Sequence, residues 1–257
     1  MYHDVVTGDP SASGFQGAGP DHYKVTRGGF EAHLDAIAAT GLTPHVVGER
    51  AGDPAVLLTF DDGGRSAVTD TAPILEARGW RGHFFVTTER IGTEGFLGRD
   101  EILALHAAGH VVGSHSCSHR IMPRLDDADV LREWSESKAV LEELLGARVT
   151  VASVPTGYYS KRIGRLAAEV GYEHLFTCEP WLEPRRLGEV LVHGRYPVYA
   201  GTSAQRVQAY CAFSRPTLWW VGGTWYVRKA AKAVLGPRYE SLRSHVLTRA
   251  SWMLTQA

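Results

Sequence analysis

Cysteine is scarce. The 257 residues include three, Cys117, Cys178 and Cys211, with no CxxC pair. An odd, scattered set excludes a disulfide framework and fits a reducing compartment, each thiol being a small buried or half-buried side chain. Net charge is nearly absent: 27 Lys and Arg against 28 Asp and Glu give −1, which argues against generic nucleic-acid binding. No run of about 18 apolar residues occurs, so no membrane span is expected. The opening "MYHDVVTGDP" lacks the basic and apolar regions of a signal peptide and reads as a strand starting at the first residue. Internal repeats and low-complexity tracts are also missing. A cytoplasmic globular protein is the expectation. Its 44% apolar content is ordinary for a sizeable core, and its length suits one large domain or one domain plus an appendage.

The charge is unevenly spread. Residues 1–200 hold 19 basic and 27 acidic residues (−8), and residues 201–257 hold 8 basic residues and one acid, Glu240 (+7). The basic tail is therefore a separate feature. Along the chain, 7–25 is rich in Gly, Ser, Asp and Pro and reads as a long loop. Phe30, Leu34, Ile37 and Ala38 predict a helix over 26–41. Strands are expected at 55–60, 82–88, 111–116, 149–157 and 172–178, alternating with helices at 65–79, 98–110, 126–146 and 160–171. Such alternation favours parallel strands with helical crossovers, an α/β layer or barrel, in which ligands gather at the carboxyl ends of strands.

Three polar clusters fall just after expected strands: Asp61–Asp62, His115–His119 and Pro155–Gly157. The first closes "AVLLTFDDGG", a buried-strand pattern ending in two adjacent carboxylates. Buried carboxylates are costly without a positive partner. "SHSCSH" sets His115 and His119 four residues apart, and two imidazoles with one carboxylate make a familiar three-ligand zinc site with an open fourth position. A divalent ion would also keep a second aspartate charged beside it. Taken singly, Asp62 reads equally as a helix cap and the histidines as a solvated pair. Together, at successive strand ends, they favour a metal site.

On these residues the chain resembles the polysaccharide deacetylase family, the NodB-like carbohydrate esterases. "LTFDDG" is similar to its first motif, and His115-Ser116-Cys117-Ser118-His119 to its second. "MYHDV", "YKVTRGGFEAHLDAIAATGL" and "GHFFVTT" resemble further family segments, with His83 where threonine is usual. The similarity spans roughly residues 1–200, leaving 201–257 as a basic, aromatic helical tail. The resemblance implies an irregular (β/α) barrel with fewer than eight strands, and hydrolysis of an N-acetyl group from an amino sugar by metal-bound water. It implies Asp61 as general base, and Asp62, His115 and His119 as ligands to one divalent ion. Zinc is the first expectation, with cobalt, nickel and iron open. The oxyanion would meet the ion and a backbone N–H near Thr156 and Gly157.

The third motif, usually R-x-P-Y-G, reads "SVPTG" here, with Ser153 at the arginine position and Thr156 where an aromatic is common. Arg195, in "LVHGRYPV", either replaces that arginine from another strand or is an ordinary surface residue. "TCEPWLEP" is at best a relic of the fourth motif. "LVH" matches the fifth, making His193 the candidate general acid, with an ordinary strand histidine as the alternative and His83 as a rival.

The tail contains Trp219, Trp220, Trp225 and Trp252, the cations Arg228, Lys229 and Lys232, and an apolar stripe of Leu242, Val246, Ala250, Met253 and Leu254. Either these helices close the barrel, or 217–255 makes a peripheral contact with the inner membrane face. Expected partners are an N-acetylated glycan or a lipid-linked sugar, and no nucleic acid. The competing readings are a non-catalytic carbohydrate-binding protein on the same scaffold and a hydrolase of another amide, such as a formyl-sugar or cyclic imide. The sequence leaves the oligomeric state open.

Overall fold

A computed structural model describes residues 1–49 and 56–235, with Trp220 and residues 228–235 as backbone alone. Two short parallel strands come first, β1 (Val5–Val6) and β2 (Val25–Thr26), with the short helix α1 (Ala18–Asp21) between them and α2 (Arg27–Ala38) after. The main run follows as β3 (Thr59–Phe60), α3 (Ala72–Glu76), β4 (His83–Val86), α4 (Arg99–Ala107), β5 (Val111–Ser114), α5 (Asp127–Leu145), β6 (Val151–Ser153), α6 (Lys161–Glu169) and β7 (His174–Phe176). It ends in β8 (Arg185–Leu187), β9 (Val190–His193), α7 (Ala204–Cys211) and α8 (Arg215–Leu235). Among the described residues seven strands form one sheet, in the order β3-β4-β5-β6-β7-β9-β8. All pairs are parallel except β8 with β9. The sheet curls into a half-barrel with helices outside.

The expected alternation is present, with two differences. The strand expected over 55–60 is regular only at Thr59–Phe60, with Val56 in an isolated bridge to Pro44; residue 55 lies outside the described residues. The helix expected over 65–79 opens as a wide turn, Ala67–Thr71, before α3. The β8–β9 hairpin was not expected, because β8 is exposed and carries Arg185 and Arg186 rather than an apolar strand pattern.

Alternation along the strands separates two cores. Phe84 and Val86 face the helices, packing with Leu75, Ile102 and Trp134. Phe85, Val151 and Phe176 form the smaller interior cluster, with Leu57 and Val111 against it. Each aromatic or Leu side chain so buried contributes about 1.5–3 kcal/mol. Near the edge of the sheet, the first residues run beside β3. Tyr2 bridges Phe60, its N–H donates to the Thr59 carbonyl (2.8 Å), and its carbonyl accepts from Asp61 N–H (3.0 Å). That register sets His3 beside Asp61. α5 is capped by the Asp126 side chain on Asp129 N–H, and ends at Gly146 in the left-handed region (φ 62°).

α7 lies along α2, where the ring Nε2 of His33 meets the Thr202 carbonyl at 2.8 Å. No helix among the described residues is long and apolar enough to cross a membrane. The apolar stripe from Leu242 to Leu254, Trp252, and the side chains of Arg228, Lys229 and Lys232 lie outside what the structure describes.

Candidate metal centre and its surround

The carboxyl ends of β3, β5 and β6 deliver the three expected clusters to one rim. Asp61 and Asp62 follow β3, His115 follows β5, and the Pro155–Gly157 turn follows β6. Asp62 is left-handed (φ 75°), as are Ser116 (65°) and His119 (61°). Non-glycine residues held there carry strain of about 1–3 kcal/mol each, and such strain gathers at functional sites. The loop from Ser116 to His119 is held by hydrogen bonds. Ser116 N–H donates to Ser114 Oγ (3.0 Å), and His119 N–H to Ser116 Oγ (3.0 Å). Glu133, buried on α5, accepts from the N–H groups of Cys117 (3.0 Å) and Ser118 (2.9 Å) and from Ser118 Oγ–H.

The loop brings both histidines to Asp62. Nε2 of His115 and Nε2 of His119 each lie 3.3 Å from Asp62 Oδ1. One ligand atom from each of the three residues falls within 4.8 Å of the others. These contacts are close but off the line of a hydrogen bond, and buried Oδ1 has no hydrogen-bond partner.

Nδ1 of His115 faces the Ser153 carbonyl oxygen at 3.1 Å and also meets Ser153 Oγ. A carbonyl only accepts, so Nδ1 carries the proton and the lone pair of Nε2 points at the cluster. Ser153 Oγ in turn donates to Asp61 Oδ1 (3.2 Å).

Asp61 has a different partner. Arg195 Nη1 donates to its Oδ1 (2.7 Å) and Nη2 to its Oδ2 (2.8 Å), both side chains being buried. Arg195 also donates from Nε to the Thr177 carbonyl (3.0 Å) and from Nη1 to Thr59 Oγ1 (3.3 Å). Burial alone would raise the Asp61 carboxyl; the Arg195 guanidinium overrides it and brings the value down to about 2. Of the two readings left open for Arg195, the structure shows the buried partner of Asp61, reaching in from beyond β9.

The remaining candidates are not in the cluster. The His193 ring is stacked on Phe176 (centroids 4.6 Å, 15° between planes), with Nε2 2.9 Å from His174 Nδ1. Burial pushes it down to about 3, helped by His174, His83 and Arg195. It makes no hydrogen bond to Asp61, Asp62, His115 or His119. His83 is fully buried and spends both nitrogens on backbone: Nδ1 donates to Leu58 O (3.0 Å) and Nε2 accepts from Val47 N–H (3.1 Å). Thr156 is exposed and left-handed (φ 60°) in the turn after β6. Gly157 is required there, because a Cβ would come within 2.8 Å of the Cys178 side chain.

Two residues near the cluster escaped the sequence reading. Burial pushes the His3 imidazole below its ordinary value, opposed by the nearby charges of Asp62 and Asp61. Its Nδ1 is buried without a hydrogen-bond partner, and its ring is 4.4 Å from that of Tyr23. The available signal was a histidine at the end of a strand that begins at the first residue. Phe15, in the long loop, packs tilted against the His119 ring (centroids 4.9 Å) and lies under Arg90 at 5.3 Å. The loop is anchored by buried Asp4, which accepts from Ser13 Oγ (2.5 Å) and Ser66 Oγ (2.7 Å).

Comparison with known proteins gives the arrangement a context. Residues 48–175 match the family model described as polysaccharide deacetylase. The Bacillus subtilis protein YxkH is 26% identical over 219 residues, covering 82% of this chain and 74% of that protein. A chitin deacetylase of Arthroderma benhamiae is 29% identical over 118 residues, 46% of this chain and 32% of the relative. The crystal structure of a polysaccharide deacetylase from Bacillus cereus shares the fold with a TM-score of 0.68 at 20% identity, covering 82% of this chain and 67% of that one.

Proposed function

We propose, from the premise that this chain belongs to the polysaccharide deacetylase family, that it is a divalent-metal hydrolase. It removes the acetyl group from the nitrogen of an amino sugar in a polysaccharide or glycan precursor. The observation that carries this is the convergence of Asp62, His115 and His119, with a second, arginine-held carboxylate beside them.

The three residues fit an ion. Asp62 Oδ1 is buried and lacks a hydrogen-bond partner, and the His115 tautomer turns a lone pair toward it. Two nitrogens and one oxygen suit zinc and leave cobalt, nickel and iron open. A bound divalent ion supplies positive charge that polarises the acetyl carbonyl and acidifies a water. Asp61 is ionised across the working pH range, and accepts the proton that the attacking water loses. Arg195 and the Ser153 hydroxyl orient that carboxylate. The water oxygen bonds to the carbonyl carbon, the C–N bond breaks, and the departing amine takes a proton. His3, near enough to Asp61 and Asp62 to feel their charges and with a buried Nδ1 that lacks a hydrogen-bond partner, joins His193 as a candidate donor of that proton, and is preferred because His193 is engaged with His174 and Phe176. The backbone around Thr156 and Gly157 is the candidate oxyanion donor.

Residues 1–200 are read as the catalytic unit, since His3 through Arg195 contribute to one centre, and 201–257 as an appended tail. The binding-only reading rests on Ser153 and the blurred fourth motif; Arg195 pairs with Asp61 in place of the third-motif arginine, so catalysis is preferred. Acetate release from a panel of N-acetylated glycans tests the assignment. Release abolished by chelator and by Asp61→Asn is expected. Activity that survives Asp61→Asn, or activity only on formyl-sugars or cyclic imides, would overturn it.

A further inference from the structure

α8 carries two apolar stripes where a helix on a barrel needs one. Its inner side is anchored by buried Val221, with Leu218 half-buried nearby. On the outer side, Trp219 is 82% exposed, Tyr226 59% and Val227 69%. Offsets of seven and eight residues return to the same side of a helix with 3.6 residues per turn. Gly223 is exposed between them, and Phe213, 44% exposed, stands at the turn from α7. An outward stripe of this kind in water marks an interaction surface.

The composition of the segment names the occupant. The sequence of α8 holds four cations, Arg215, Arg228, Lys229 and Lys232, and no acidic residue occurs between Glu189 and Glu240. Trp and Tyr on one stripe of a helix rich in Lys and Arg suit the headgroup region of a bilayer. The helix is not apolar enough to cross one, so it would lie in the plane of the surface.

We infer that the outer face of α8, centred on Trp219, Tyr226 and Val227, docks on anionic lipid and holds the protein peripherally on a membrane. This does not depend on the deacetylase reading. It would place the barrel beside membrane-linked glycans.

The test is co-sedimentation of the full chain with phosphatidylglycerol–phosphatidylcholine vesicles and with phosphatidylcholine alone. A triple variant, Trp219→Ser, Tyr226→Ser, Val227→Ser, is the comparison. These side chains are exposed, and circular dichroism and acetate release serve as folding controls. The full chain is expected to bind the anionic vesicles, with affinity falling at least about tenfold in the variant and falling as salt is raised. Three results would each overturn the inference: no vesicle binding, equal binding by the variant, or self-association through this face, lost in the variant, without lipid binding.

Discussion

The Arg195 guanidinium and the Asp61 carboxylate meet fork to fork, Nη1 to Oδ1 at 2.7 Å and Nη2 to Oδ2 at 2.8 Å, across 134 residues of sequence. The pairing answers the problem posed by two adjacent buried aspartates. One is balanced by arginine; the other lies against His115 and His119, the set proposed to hold an ion.

Breaking the pair from the arginine side should be severe. Arg195→Met leaves a buried carboxylate unbalanced, which costs about 3–5 kcal/mol of stability. Acetate release should fall by at least about a hundredfold, and Arg195→Lys should recover only part, because an ammonium cannot match the bidentate geometry. Denaturant titration and initial rates check both. Arg195→Lys indistinguishable from the natural protein would count against an orienting role for the guanidinium.

The same pair sets an acid limit to stability. Asp61 is held at about 2 against an ordinary 3.8, so the folded state favours its ionised form. That contribution, about 2 kcal/mol, is complete above the ordinary value, shrinks as pH falls through 3.8 toward about 2, and is gone below both. The stability gap between the natural protein and Asp61→Asn should therefore narrow over that window. A gap independent of pH there would contradict the pairing.

His3 and His193 make opposite predictions. His3→Ala should lower kcat by about a hundredfold, with metal content unchanged and a small change in KM. His193→Gln should retain most activity and instead shift thermal stability, because its ring packs on Phe176 and pairs with His174. Full activity in His3→Ala together with loss in His193→Gln would restore the sequence-based assignment.

Gly64 is fixed by a close approach rather than by chemistry. A Cβ there would lie 2.0 Å from Asp4 Oδ1 and 2.9 Å from Ser13 Oγ. Gly64→Ala should displace the Asp4 anchor, cost about 1–3 kcal/mol, and loosen the loop that carries Phe15 over His119. A melting temperature equal to that of the natural protein would show that the loop is not held through Asp4.

Most of the half-barrel could be read from the sequence, because βα alternation writes buried strands and amphipathic helices as distinct periods. The cluster of Asp62, His115 and His119 was legible for a related reason: each follows a strand, and parallel strands bring their carboxyl ends to one rim. Arg195 was only half legible. Its position after β9 suggested the rim, but its bond to Asp61, an oxygen that Ser153 also reaches, joins residues far apart in sequence with no local pattern. For His193, strand order gave the position but not the neighbours, the Phe176 ring it stacks on and the His174 ring it meets. His3 was passed over because the strand expected from the first residue is only an isolated bridge at Tyr2 before Val5–Val6, with no period to set the side of His3. β8 hid behind its two arginines.

The central claim is that Asp62, His115 and His119 together hold one divalent ion. Calorimetric titration of the metal-free protein with zinc tests it without reference to substrate. One equivalent per chain is predicted, with affinity falling at least about a hundredfold in Asp62→Ala and in His115→Ala while Asp61→Asn still binds. Undiminished zinc binding by both ligand variants, or no stoichiometric binding by the natural protein, would contradict it.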